Sequence, residues 1–360
     1  MVMYIFVNIS IIFFGFYITL INEKKYMDIE KKQAITYLCI IFMFLLLFVV
    51  SAFRGDFTTD YKNYTYLFNL YNQFDFFETF KIGQAQEFGF VFLSRFIGLF
   101  TDNALYLFIV TSFIILSGHF KQFIKDSPYL WLSILLFTTI GSFYTSFNII
   151  RQILAATIIF SGSKYLYERK IMKYILVVII ASLFHKTAFI MIPFYFILNF
   201  KFSLKNLIVM FFGASIVMLY LNSILAFFQK YFYTIYDESS YGMTGFSFSN
   251  ALIPCTLLIF SIIYEKNINF NNIKERIWFN AVTFYAFFNI LGLQVQMIER
   301  FSEYFAPYAL LLIPQIFNKM VRNEKKVLYF IVLLILLILY NFIILKGSGY
   351  DPYYFIWEVN

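Results

Sequence analysis

Apolar runs follow one another along most of this chain, near residues 3–21, 34–53, 104–118, 129–147, 149–167, 173–184, 187–199, 206–228, 250–264, 278–298, 302–318 and 327–345. A helix needs about 20 apolar residues to cross a bilayer core, where only helices and closed barrels satisfy every backbone group. The runs predict an all-α, polytopic integral membrane protein of about 12 transmembrane helices (range 10–13), forming one membrane domain over residues 1–360. The shorter runs must be bent or flanked by interfacial residues. Residues 1–21 lack a basic leading region and a small-residue cleavage site, which predicts a retained span and not a signal peptide.

Composition agrees. The chain is 61% hydrophobic and 13% charged, about half the charge of an ordinary soluble domain, which is too little to cover a soluble globule of this length. The net charge of +8 would suggest nucleic acid in a soluble protein. Here it falls in short connections, the signature of cytoplasmic loops, so nucleic-acid binding is excluded. No internal repeat, linker or soluble domain interrupts the pattern.

Charge assigns the loops to sides. Lys24, Lys25, Lys31 and Lys32 place the first loop inside, and acidic Asp56, Asp60, Asp75, Glu78 and Glu87 place loop 54–87 outside. Parity then puts Lys121/Lys125, Lys164/Arg169/Lys170/Lys173, Lys201/Lys205, Lys266/Lys274/Arg276 and Lys319/Arg322/Lys325/Lys326 inside, with Asp237/Glu238 outside. Phe88–Phe100 would invert this parity as a full span. It reads as a re-entrant or steeply tilted helix returning through Thr101-Asp102-Asn103, or as the first part of one interrupted helix over 88–118.

The run from Tyr174 to Phe200 is broken once, at His185-Lys186. A charge in hydrocarbon costs about 2.5–3.5 kcal/mol on lenient scales, so the pair has a function or sits at a surface. Basic residues at both ends of the run make it two short spans hinged at an outward-facing His185. With it at outer span ends gather Arg54, Asp60, Glu87, Arg151, Lys186, Glu299, Arg300 and Glu303. Several cations beside carboxylates and one histidine suit an anionic, pyrophosphate-bearing substrate next to a general base. Arg151, entering a helix with Gln152, is placed to grip an anionic oxygen bidentately, although an arginine there also snorkels to headgroups.

Aromatic segments surround these charges: Tyr61, Tyr64 and Tyr66; Tyr231, Phe232, Tyr233, Tyr236 and Tyr241; and the tail Tyr350 to Trp357. They suit sugar faces as well as a membrane-interface belt. Outer loops 54–87 and 229–249 are therefore expected to contribute to the site. Cys39 and Cys255 lie toward opposite faces, which rules out a disulfide, and no metal-ligand spacing is present. Asp56, Asp60 and Glu87 share one loop, which leaves a carboxylate-bound divalent ion as an alternative.

Five segments carry a resemblance. Arg54-Gly55-Asp56 with Asp60-Tyr61 and Tyr64, Glu87-Phe88-Gly89-Phe90, Phe147-Asn148-Ile149-Ile150-Arg151-Gln152, Ala181-Ser182-Leu183-Phe184-His185-Lys186-Thr187-Ala188, and Glu299-Arg300 with Tyr304 together resemble the EpsG family of Wzy-type polymerases. Where the family often has a small hydroxyl residue after the histidine, Lys186 intervenes and Thr187 follows. The resemblance implies a bacterial cytoplasmic (inner) membrane enzyme that polymerises O-antigen or exopolysaccharide repeat units at the outer face. Its substrate would be undecaprenyl-pyrophosphate-linked oligosaccharide, without nucleotide sugar, and its partners the bilayer, a chain-length regulator and a flippase; the residues assign no cofactor. On this reading His185, Asp60 and Glu87 are the catalytic candidates, and Arg54, Arg151, Gln152, Lys186, Arg300 and Tyr61 bind substrate. A lipid-linked oligosaccharide flippase is the rival, but would carry mid-membrane charges and repeated halves. A ligase or a membrane O-acetyltransferase are the rival enzymes.

Overall fold

The computed structural model describes residues 1–24, 26–81, 87–201, 248–293, 296–320, 324–347 and 349–358, with short pieces between 205 and 220. Residues 229–247 of the proposed outer loop 229–249, much of the span 206–228 and residues 82–86 lie outside the described residues. The described residues are almost entirely helical, and their one extended pairing is an isolated antiparallel bridge between Arg54 and Phe355.

Among the described residues four helices are long and apolar enough to cross a membrane: Val2–Glu23, Ile29–Ala52, Leu105–Asp126 and Glu324–Gly347. Other predicted spans are broken. Leu130–Thr139 ends at Gly141, which takes φ 90° and starts the short turn Ser142–Thr145. Ile150–Ser161 continues past Gly162 into Ser163–Tyr167.

The run around His185 folds back as expected. Ile171–Ser182 leads to His185 in extended conformation, then to the tight turn Lys186–Ile190 and the helix Met191–Ile197. The Tyr174 and Tyr195 rings, near the far ends of the two limbs, lie 5.4 Å apart. Residues 88–118 form no single helix, because Phe88–Gly98 and Leu105–Asp126 are separate and Asn103 Oδ1 accepts the Leu105 N–H at 2.9 Å. Phe88–Gly98 packs against Tyr61–Asn72.

In lipid the hydrophobic effect does not pull helices together, so close packing and polar contacts must. The Ser51 and Ser112 hydroxyls meet at 2.7 Å, Thr138 donates to Asn8 Oδ1 at 2.8 Å, and Ser163 meets the Tyr308 hydroxyl at 3.0 Å. Phenylalanine fills what remains: the Phe284, Phe288 and Phe305 rings cluster against Phe194 with centroids 4.7–6.4 Å apart.

Charge sorts to two ends of this bundle. Lys274 pairs with Asp126 at 2.6 Å, Lys319 with buried Glu275 at 2.6 Å, and Lys201 donates to Asn271 at 3.1 Å. At the other end Arg54, Glu87, Arg151, His185 and Arg300 come together with the C-terminal tail. That tail is strapped down: Gly55 N–H donates to Tyr354 O at 2.8 Å, Ile356 N–H to Phe53 O at 2.9 Å and the Tyr353 hydroxyl to Val50 O at 2.8 Å. A Cβ on Gly55 would sit 2.2 Å from the Tyr354 ring, so this close approach needs glycine.

Candidate active site

Glu87 is the hub. It precedes the Phe88–Gly98 helix in extended conformation and is buried. One carboxylate oxygen bonds Arg151, at the start of Ile150–Ser161, and the other lies 2.8 Å from His185 Nδ1. Its position is set by Gly89, whose N–H donates to Leu183 O at 2.7 Å and whose absent side chain leaves room for the Leu183 backbone. Three segments far apart in sequence thus meet through one carboxylate.

Burial by itself pushes the Glu87 carboxyl up, and it is outweighed by the His185 hydrogen bond and the Arg151 charge, which hold it below its ordinary value. With an ionised carboxylate on Nδ1, the imidazole donates Nδ1–H and leaves Nε2 with its lone pair, the arrangement that prepares a histidine to take a proton. Glu87 is thereby an orienting group whose two oxygens are both engaged. The Arg151 fork is partly committed too, one arm to Glu87 and its side chain also hydrogen-bonded to Tyr64, so it is less free for bidentate work than its sequence position implies.

A second group adjoins the first. The turn Arg300–Tyr304 is tied down where Gln152 Nε2 donates to Arg300 O and the Tyr304 hydroxyl meets Thr187 at 2.8 Å. The helix after it begins only at Ala306, so Glu303 stands in the turn before it and not in the span predicted from residue 302. Asp60, Arg300, Glu299 and Glu303 line a cavity of about 250 Å³ with Thr59, Thr145, Asn148, Ile149 and Tyr350. Burial raises the Asp60 carboxyl, with Arg300 and Arg151 opposing.

The other candidates are placed differently. Arg54 is fully buried, donating to Ser51 O and, at 3.1 Å, to Phe147 O, with Phe108 and Phe147 rings 4.7 and 4.9 Å from its guanidinium carbon. Tyr61 stacks on Phe108 at 4.2 Å and is also buried. Both are packed at the same end of the bundle as the site and line neither cluster. Gln152 is buried as a tie, and Lys186 is exposed at the rim. Asp56 bonds Tyr354 at 2.8 Å and Lys62 at 3.3 Å, apart from Glu87. Among the described residues no group of three or more His, Cys, Asp or Glu could hold a metal ion. His119 is buried with Nδ1 on Ile115 O at 2.9 Å, and Cys39 and Cys255 are free.

The sequence assigned no role to Glu299 or Glu303. Their signal is two carboxylates one helical turn apart flanking Arg300 in a chain with few charges.

The sequence profile of the EpsG family matches residues 36–356, nearly the whole chain and every segment of the site. The chain belongs to the EpsG family. No curated protein and no solved structure matches it. The EpsG family is associated with exopolysaccharide polymerisation, which makes this EpsG chain a membrane protein of polysaccharide biosynthesis with a polymerase-like role.

Proposed function

We propose that this EpsG chain joins undecaprenyl-pyrophosphate-linked oligosaccharide repeat units at the outer face of the bacterial cytoplasmic membrane, as a Wzy-type polymerase. The observation that carries the reading is the Arg151–Glu87–His185 constellation, a cation and an oriented histidine held by one buried carboxylate. His185 Nε2 takes the proton of the acceptor hydroxyl as its oxygen attacks the donor's anomeric carbon. The bond from that carbon to the diphosphate oxygen breaks, and the electron pair leaves with the carrier diphosphate. Arg151, with the exposed Lys186, faces the negative charge that develops there. A chain-length regulator and a flippase are the protein partners this reading implies.

The test uses His185 in cells. His185→Ala is expected to leave the protein inserted, lower turnover by about a hundredfold or more, and leave single repeat units in place of a polymer ladder. His185→Gln, which donates and accepts hydrogen bonds but takes no proton at neutral pH, should be as inactive. A full ladder from the Gln variant would remove His185 as the base.

A further inference from the structure

The cavity beside the constellation has a lining unlike an anion site. Among the described residues three carboxyl groups, Asp60, Glu299 and Glu303, face it against one guanidinium, that of Arg300. A diphosphate or a uronate entering there would meet net repulsion in a partly buried setting, so the phosphate end of a lipid-linked glycan is directed to Arg151 instead. Hydroxyl groups are what such a lining can serve. Carboxylates accept from them, Asn148 and Arg300 donate to them, and the Tyr350 ring offers a flat apolar face. The volume of about 250 Å³ is below that of a drug-sized pocket and suits one ring, not a chain of rings.

The cavity is also built. Tyr350, delivered by the strapped tail, is fixed by Asn148 Nδ2 donating to its hydroxyl at 2.9 Å, and Glu299 accepts from Asn250 at 3.0 Å. Gln152, one residue beyond Arg151, holds the Arg300 carbonyl, which sets the cavity next to the reacting groups.

We propose that this cavity is a subsite for one non-anionic sugar ring of the lipid-linked glycan, held by Asp60, Asn148, Glu299, Arg300 and Glu303 against Tyr350. The inference rests on the polymerase reading and divides its site in two, diphosphate at Arg151 and sugar in the cavity.

Burial and then the neighbouring Glu299 push the Glu303 carboxyl up to about 8. At neutral pH it is protonated and able to donate as well as accept. Glu299 and Arg300 on its own turn, Asp60 and Tyr350 across the cavity, Tyr285 behind and His119 beneath are the groups that face it. Ionisation above that pH removes the donor and adds repulsion, so sugar binding weakens as pH rises through about 8.

The test reads binding without turnover, using the full chain in lipid nanodiscs and two probes. One is undecaprenyl pyrophosphate; the other is the lipid-linked repeat unit extracted from cells lacking this chain. The sugar-bearing lipid should protect the wild type against thermal unfolding at roughly tenfold lower concentration than the bare carrier. Glu303→Ala should erase that difference while the bare carrier still protects, whereas Arg151→Ala should lose both. Glu303→Gln, which cannot ionise, should flatten the decline above pH 8. The subsite is refuted if the two lipids protect the wild type equally or not at all. It is equally refuted if Glu303→Ala weakens both alike, or if the Gln variant keeps the decline. An unchanged polymer ladder in cells deleted for the chain would instead overturn the polymerase reading, leaving the binding comparison intact.

Discussion

Replacing Glu87 by Gln separates its two contacts by chemistry alone, since size and shape are kept. The carboxylate now accepts from Arg151 with one oxygen and from His185 Nδ1 with the other. A carboxamide has one oxygen. Arg151 is the permanently charged donor and takes it, so the new NH2 faces His185 Nδ1 and forces that nitrogen to accept. The ring proton then moves to Nε2, and the base is lost. Removing the charge-orienting acid of a comparable histidine costs about 10⁴ in rate in a serine-protease triad, so a fall of about 10²–10⁴ is expected here. Stability falls as well. Glu87 is buried and Arg151 mostly so, and a hydrogen bond to a charged group contributes about 1.5–3 kcal/mol, which makes a loss of about 3 kcal/mol reasonable once the neutral amide has restored part of one contact.

The assay is polymer formation from extracted lipid-linked repeat units, with thermal unfolding of the same nanodisc samples. If Glu87 acts through His185, adding Glu87→Gln to His185→Ala should cost little further activity, because the two then remove one function. Multiplying effects in the double variant would refute the orienting role. The sign with pH is also fixed. A carboxyl held below its unfolded value stabilises above that value and loses the contribution as pH falls through the folded one. The stability gap between wild type and Glu87→Gln should therefore be full near neutrality, start to narrow below about 4.5, the ordinary glutamate value, and close as pH falls through the lower folded value.

Other outcomes follow from the same geometry. Arg151→Lys keeps the charge but cannot span Glu87, Tyr64 and a phosphate oxygen together, so polymer should be lost at normal protein level; a full ladder would return Arg151 to a headgroup-anchoring role. Arg54→Lys should act on folding, lowering the amount of inserted protein through a loss of about 2–4 kcal/mol from its carbonyl and ring contacts; normal protein level with lost polymer would place Arg54 in the chemistry instead. Single cysteines at Asn63 and Lys186 should react with an impermeant thiol reagent in intact cells and one at Asn271 should not, since Lys201 ties Asn271 to the opposite end of the bundle. Labelling at Asn271 would refute the fold-back at His185.

The sequence by itself determined the class of this protein, the break at His185 and the division of charge between two ends. Each follows from a local cost: a long apolar run has no soluble solution, a charge cannot rest in hydrocarbon, and basic loops stay on one side. It also carried the segments that make the chain an EpsG protein. It could not rank the outer charges, because that ranking depends on which side chains share a partner across the fold. Arg54 and Arg151 look alike as arginines at outer span ends, yet one closes on carbonyls and rings while the other meets a carboxylate 64 residues away. Glu87 and Glu303 likewise both read in the sequence as carboxylates at span ends. Glu87 is held down by two partners from distant segments, and Glu303 is raised first by burial in a cavity and then by Glu299. Tertiary packing decided these, since the burial of a carboxyl and its partners from distant segments are set by helices that cross.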